Sequence, residues 1–302
     1  MTVPSYLKKG DTIALTCPAG YMPLEKAQKC IETLQAWGYR VQVGKMLGSE
    51  SENYFSGTDE ERTAELQAML DDPTIDAILF GRGGYGMGRI IDQLNFKKFR
   101  ETPKWVIGFS DITVLHTHLF SQYKIASLHA PMAAAFNDGG AENEYVQSLR
   151  QALAGKKANY ICATHPGNHF GSATGKLIGG NLALLTHVIG TDSDYKTKNN
   201  ILFVEDIGEY TYNVDRMLYQ LKRSGKLSKL SGLIFGGFTD MKDTERPFGK
   251  TMEEILFDIS RDLKIPVCFN FPVSHGTENV ALKIGVEYNL VVGKDEVVLK
   301  EI

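Results

Sequence analysis

Lys104-Trp105-Val106-Ile107-Gly108-Phe109-Ser110-Asp111-Ile112-Thr113 is an apolar strand that stops at Gly-x-Ser-Asp, where a helix-like run begins at once. A strand-to-helix turn of this kind sets the Ser110 hydroxyl at the carboxyl end of a sheet, beside the unpaired N–H groups of a helix start. An acyl-transfer nucleophile and its oxyanion donors both need that position. Ser and Asp are also favoured helix caps, so the same residues fit a cap that does no chemistry. A nucleophile requires a base and a group to orient that base, and both must come from elsewhere in the chain.

Outward from this stretch the first half alternates strand and helix. Thr12 to Cys17 reads as a strand ending at Pro18-Ala19-Gly20, and apolar residues from Leu24 to Trp37 then recur at helical spacing. Tyr39 to Val43 returns as a strand. Thr58 faces Glu61 three residues later as a capping box, opening a helix through Leu70. Ile75 to Phe80 is the next strand, followed by a helix near Met87 to Leu94, the strand ending at Phe109, a helix from Asp111 to about Ser121, and a strand from Ile125 to Leu128. Repeated βα units with short apolar strands predict a parallel sheet covered by helices on both faces. From Ala163 to Gly171 turn formers dominate without periodicity, marking a linker or long loop. Strands dominate beyond it, at 201–204, 232–236, 267–269, 281–284 and 296–299, with helices near 212–222 and 251–263. The expectation is an α/β protein: a parallel-sheet domain over 1–155, a linker over 156–172, and a smaller, strand-rich mixed α/β domain over 173–302.

The chain has 302 residues, 43% of them apolar, enough to bury a large core. A net charge of −3 offers no basic stripe for nucleic acid and no polybasic patch for lipid, so a small-molecule partner is expected. The first residues lack the order of a secretory signal, and no apolar run is long enough to span a bilayer, which predicts a cytosolic protein. Cys17, Cys30, Cys162 and Cys268 contain no Cys-x-x-Cys pair and read as buried free thiols.

Gly81-Arg82-Gly83-Gly84-Tyr85-Gly86 satisfies Gly-x-Gly-x-x-Gly directly after a strand. It fits a dinucleotide loop, although it closes the third βα unit and no acidic residue ends a strand about 20 residues later to hold a ribose. It equally fits backbone N–H groups approaching an oxyanion, or a tight turn with no ligand.

Among seven histidines, His116 and His118 lie on different faces of the helix after Ser110 and read as packing or surface. His165 and His169 sit in the linker, where solvation is the default, His187 in an apolar run reads as a core histidine, and His129 ends a strand near the site. His275 differs, because Pro272 stiffens the entry to its loop and Gly276 frees the exit. The strand 201–204 runs directly into Glu205-Asp206-Ile207-Gly208-Glu209, where an acid at a buried strand end calls for a donor such as histidine. Ordinary exposed loop acids are the alternative.

The five motifs Gly81 to Gly86, Gly108 to Thr113, Gly179-Gly180-Asn181-Leu182, Phe203-Val204-Glu205-Asp206 and Ser274-His275-Gly276 together resemble the LD-carboxypeptidase family, serine peptidases grouped with the microcin C self-immunity peptidases. The resemblance covers almost the whole chain and implies a Rossmann- or flavodoxin-like first domain. It implies a triad of Ser110 as nucleophile, His275 as base and then acid, and Glu205 as orienter, with an oxyanion hole at the N–H groups of Asp111 and Gly84. It implies no metal or cofactor, a muropeptide substrate whose terminal D-alanine is removed in the cytosol, and a homodimer. Arg82, the nearest cation in the glycine loop, is expected to meet the substrate carboxylate or form a structural salt bridge, with Tyr85 beside it. Two alternatives stand beside this: the same triad acting on peptidyl-nucleotide or other acyl-amino compounds, and a non-catalytic dinucleotide-binding protein. Ala130 departs from the pattern, glycine being more usual there, which leaves the triad untouched.

Overall fold

The first strand, β1 (Thr12–Thr16), and its partners β2 (Arg40–Val43), β3 (Ala77–Phe80), β4 (Trp105–Gly108) and β5 (Ser127–His129) are the short apolar segments that the sequence presents, and each neighbouring pair is parallel. In this computed structural model, which describes residues 1–302, the chain forms two compact units, Met1–Lys156 with Val280–Lys283 and Lys157–Asn279 with Ile284–Ile302. The first sheet has the order β11-β5-β4-β3-β1-β2, where β11 is Leu282–Ile284. Strands β1, β3 and β4 are buried throughout, as expected for strands covered on both faces, whereas β2 at the edge is largely exposed. Thr58 caps the helix Asp59–Asp71 with the full reciprocal capping box. The order reverses between β1 and β3, so the loops at the carboxyl ends of these strands border the crevice that open α/β sheets use for ligands.

The second unit holds a seven-stranded sheet in the order β10-β9-β8-β7-β12-β13-β6. Its strands are β6 (Asn159–Ala163), β7 (Gly171–Asn181), β8 (Asn200–Ile207), β9 (Gly232–Thr239), β10 (Val267–Cys268), β12 (Glu287–Val292) and β13 (Glu296–Glu301). Strands β7 to β10 run parallel and the β7-β12-β13-β6 half antiparallel, which makes a mixed α/β unit as expected.

Several elements depart from the sequence reading. The stretch expected as linker contains β6, an edge strand paired with β13. The 281–284 strand pairs in the first sheet rather than the second. The helix expected from Asp111 to Ser121 is three pieces: a 3₁₀ turn Ser110–Ile112, an α-helix Thr113–His118 and a wider turn Leu119–Tyr123. His165 stacks at 5.4 Å on Phe269 rather than standing in solvent, and His187 is exposed rather than part of the core. Cys17, Cys30 and Cys268 are buried free thiols, and Cys162 is half-buried. No helix is long and apolar enough to cross a membrane.

Candidate active site

Ser110 sits where β4 ends, at φ 62°, a left-handed conformation uncommon for a residue with a side chain. The turn is held from behind by His116, which is fully buried. Its Nε2 lies 2.8 Å from the Gly108 carbonyl and its Nδ1 2.8 Å from Ser127 Oγ. A carbonyl only accepts, so Nε2 carries the proton and donates, and the Ser127 hydroxyl donates to Nδ1. Burial pushes the His116 imidazole down to about 4, keeping it neutral.

The glycine loop after β3 comes directly onto this turn. A Cβ on Gly83 would lie 2.8 Å from Ser110 Cβ and 3.1 Å from the Asp111 nitrogen, a closeness that only glycine permits. The Gly83 carbonyl accepts the Gly20 N–H at 3.1 Å, joining the loops after β1 and β3. Because that peptide is trans, the Gly84 N–H points away from Gly20. Asp111 is buried, and its Oδ2 accepts the Met87 N–H at 2.7 Å. Arg82 is exposed and donates from Nη1 to the Tyr21 carbonyl at 3.1 Å, while the exposed Tyr85 ring leans on Phe55 at 5.9 Å. His129 is the last residue of β5, as expected, with its ring 5.7 Å from Phe109.

In the second unit His275 and Glu205 form a second constellation. His275 Nδ1 is 2.6 Å from Glu205 Oε2, and the Glu205 side chain is fully buried. A carboxylate oxygen accepts, so Nδ1 donates, and in an imidazole with its proton on Nδ1 the lone pair lies on Nε2. Glu205 does not follow the strand, as the sequence suggested, but lies inside β8 at an irregularity where Val204 pairs with Phe235 and Asp206 with Phe238. The extra residue falls at Gly236-Gly237. A Cβ on Gly236 would lie 2.1 Å from the Val273 carbonyl, and one on Gly237 2.6 Å from Ser274 Cβ. Paired glycines on β9 therefore let the segment before His275 pack onto the sheet beside Glu205. Strand alternation turns Asp206 the other way, where its carboxylate accepts from Asn181 Nδ2 at 2.7 Å and the Ala183 N–H at 3.0 Å. Burial pushes Asp206 up to about 6 despite those bonds. Glu209 accepts from Asn213 Nδ2 at 2.7 Å.

The structure thus gathers Ser110, Asp111 and the glycine loop in one unit and Glu205 with His275 in the other. Sequence reasoning missed Gly20, Gly83 as the glycine that meets Ser110, and the Gly236-Gly237 pair. The pair interrupts an apolar run and Gly83 lies within the Gly81 to Gly86 motif, whereas Gly20 reads only as the end of a strand.

Residues 13–130 match the family model described as the LD-carboxypeptidase N-terminal domain, and residues 174–290 the model described as the LD-carboxypeptidase C-terminal domain. A probable murein peptide carboxypeptidase of Bacillus subtilis (strain 168) is 33% identical over 94% of this chain and 90% of its own length. The crystal structure of a muramoyltetrapeptide carboxypeptidase from Oxalobacter formigenes superposes with a TM-score of 0.86 at 29% identity, covering 96% of this chain and 98% of that one. The microcin C7 self immunity protein MccF, in complex with aspartyl sulfamoyl adenosine, shares the fold, with a TM-score of 0.86 at 23% identity over 100% of this chain and 99% of that one. With both domain models matched in order and a relative 33% identical along nearly the whole length, this chain belongs to the LD-carboxypeptidase family.

Proposed function

We propose that the protein is a serine carboxypeptidase that hydrolyses the L-to-D peptide bond before the terminal D-alanine of a murein tetrapeptide, working in the cytosol on recycled wall peptides, as a homodimer. The observation that carries this is the 2.6 Å bond between His275 Nδ1 and buried Glu205, which leaves Nε2 as a base. Support comes from the left-handed Ser110 turn and from relatives named for murein peptides.

In this reading His275 Nε2 takes the Ser110 proton as Oγ attacks the carbonyl carbon, and Glu205 stabilises the imidazolium that forms. The N–H groups of Asp111 and Gly84 hold the oxyanion. Collapse of the tetrahedral intermediate breaks the C–N bond, and the imidazolium gives its proton to the departing amine of D-alanine. His275 then activates water to hydrolyse the acyl-serine, restoring Ser110 and releasing the shortened peptide. Arg82 meets the free carboxylate of the substrate, with Tyr85 beside it. Incubation with murein tripeptide, tetrapeptide and pentapeptide, followed by mass spectrometry, tests the substrate assignment. Loss of D-alanine from the tetrapeptide is expected, and cleavage of an aspartyl sulfamoyl nucleoside in its place would move the substrate to the acyl-nucleotide class.

A further inference from the structure

Two buried charged side chains stand behind the glycine loop, and the chemistry above leaves both unused. The Asp111 carboxylate accepts the Met87 N–H at 2.7 Å, and Met87 opens the short helix into which the glycine loop runs. That bond ties the far end of the loop to the residue next to Ser110. Arg62 is fully buried on the helix Asp59–Asp71. Its Nη1 donates to the Pro18 carbonyl at 2.5 Å and the Gly86 carbonyl at 3.3 Å, its Nε to Gly57 at 3.2 Å, and its Nη2 pairs with Asp59. One guanidinium therefore joins the loop after β1, the loop after β3 and the start of a helix. Phe55 covers it, with the ring centroid 4.8 Å from Cζ. At Gly86, φ is 152° and a Cβ would lie 2.8 Å from Arg62 Nη1 and 2.9 Å from Ala19 Cα, so the loop meets this brace without slack.

Neither charge is there for stability alone. Burial pushes Asp111 up to about 6, against the opposing pull of the Met87 and Gly86 amides and of Arg62. A buried charge costs desolvation that its partners only partly repay, so these two side chains add little net stability over apolar replacements of the same shape, whereas oxyanion donors must be held to a fraction of an ångström before reaction.

We propose that the Asp111 carboxylate and Arg62 are positioning residues that lock the Gly81 to Gly86 loop against the Ser110 turn, fixing the Gly84 N–H relative to that of Asp111. The assignment rests on the serine-peptidase reading. It is tested by kcat and KM on murein tetrapeptide for the wild type, Ser110→Ala, Asp111→Ala, Asp111→Asn and Arg62→Lys, each with a thermal melt. Asp111→Ala keeps the main-chain donor but frees the loop, and kcat is expected to fall ~10²-fold with KM near the wild-type value, as for a misplaced catalytic geometry. Asparagine can still accept the Met87 N–H and should recover most of that loss. Lysine at 62 keeps the charge without the fork, and should cost roughly tenfold in kcat. Wild-type kcat in Asp111→Ala, a loss confined to KM, or no recovery with asparagine overturns the proposal. If Asp111→Ala has no cooperative melt, Arg62→Lys decides, and wild-type kcat there overturns it equally. Turnover retained by Ser110→Ala would instead remove the serine reading, a result distinct from an inactive Ser110→Ala beside a fully active Asp111→Ala.

Discussion

Replacing Gly83 by alanine perturbs the Ser110 turn by one methyl group. The backbone at Gly83 lies outside the left-handed region, so alanine meets no conformational penalty there and the effect is steric. The new Cβ would stand 2.8 Å from Ser110 Cβ and 3.1 Å from both Ser110 Oγ and the Asp111 nitrogen. Carbon atoms rest about 3.5–4.0 Å apart, so the turn and the loop must separate by on the order of 1 Å. Neither side yields easily, since the loop is tied by the Gly20 N–H to the Gly83 carbonyl at 3.1 Å and by the Met87 N–H to Asp111 at 2.7 Å. Overpacking of this kind costs roughly 1–3 kcal/mol of stability, which a domain of this size survives. A 1 Å displacement between nucleophile and oxyanion donors costs ~10²-fold in rate. Steady-state kinetics on murein tetrapeptide, with a thermal melt to confirm folding, should show kcat down about a hundredfold beside a modest drop in melting temperature. A folded Gly83→Ala enzyme with wild-type kcat would refute the placement of the loop against Ser110.

Glu205→Gln should lower turnover by on the order of 10³ to 10⁴, because an amide cannot stabilise the imidazolium, whereas Glu209→Gln, whose carboxylate bonds Asn213, should change little; comparable losses in the two variants would move the orienting role. Arg82→Gln should raise KM about tenfold or more with kcat nearly unchanged, as loss of a carboxylate contact outside the reacting bond requires; an unchanged KM would leave Arg82 with only its bond to Tyr21. His116 titrates at about 4 when folded against an ordinary value of 6.5, so the unfolded chain takes up the proton first. Its contribution is full above about pH 6.5 and is lost as the pH falls through about 4, a change of ~3 kcal/mol. Denaturant melts of His116→Gln should accordingly lose less stability than the wild type between pH 7 and pH 4, and identical losses would contradict the buried neutral imidazole.

Much of the first unit is legible locally, because each signal is complete within a few residues. The Lys104 to Thr113 run contains its strand, its turn and its helix start, and Thr58 with Glu61 contains a whole capping box. The second unit is harder to read because its cues depend on residues distant in sequence. Strand β7 carries Gly171, Gly175, Gly179 and Gly180, which look like turn formers, yet a Cβ on Gly175 would lie 2.8 Å from the Asn199 carbonyl and one on Gly179 2.0 Å from the Phe203 carbonyl, so close strand packing demands those two. Strand β11 pairs with β5 across the chain, a choice that no local pattern encodes. Glu205 was legible as a buried acid, but its place inside β8 follows from Gly236-Gly237 on the neighbouring strand. Nothing near Arg62 in the sequence marks it, and only the carbonyls of Pro18, Gly57 and Gly86 explain its burial.

The most direct test of the central claim is the rate of D-alanine release from murein tetrapeptide by the wild type and by Ser110→Ala and His275→Ala, measured on folded protein under one condition. The account predicts release by the wild type and a fall to near background in both variants, since neither the nucleophile nor its base can be spared. Release by Ser110→Ala at the wild-type rate, or none by the wild type, would contradict it.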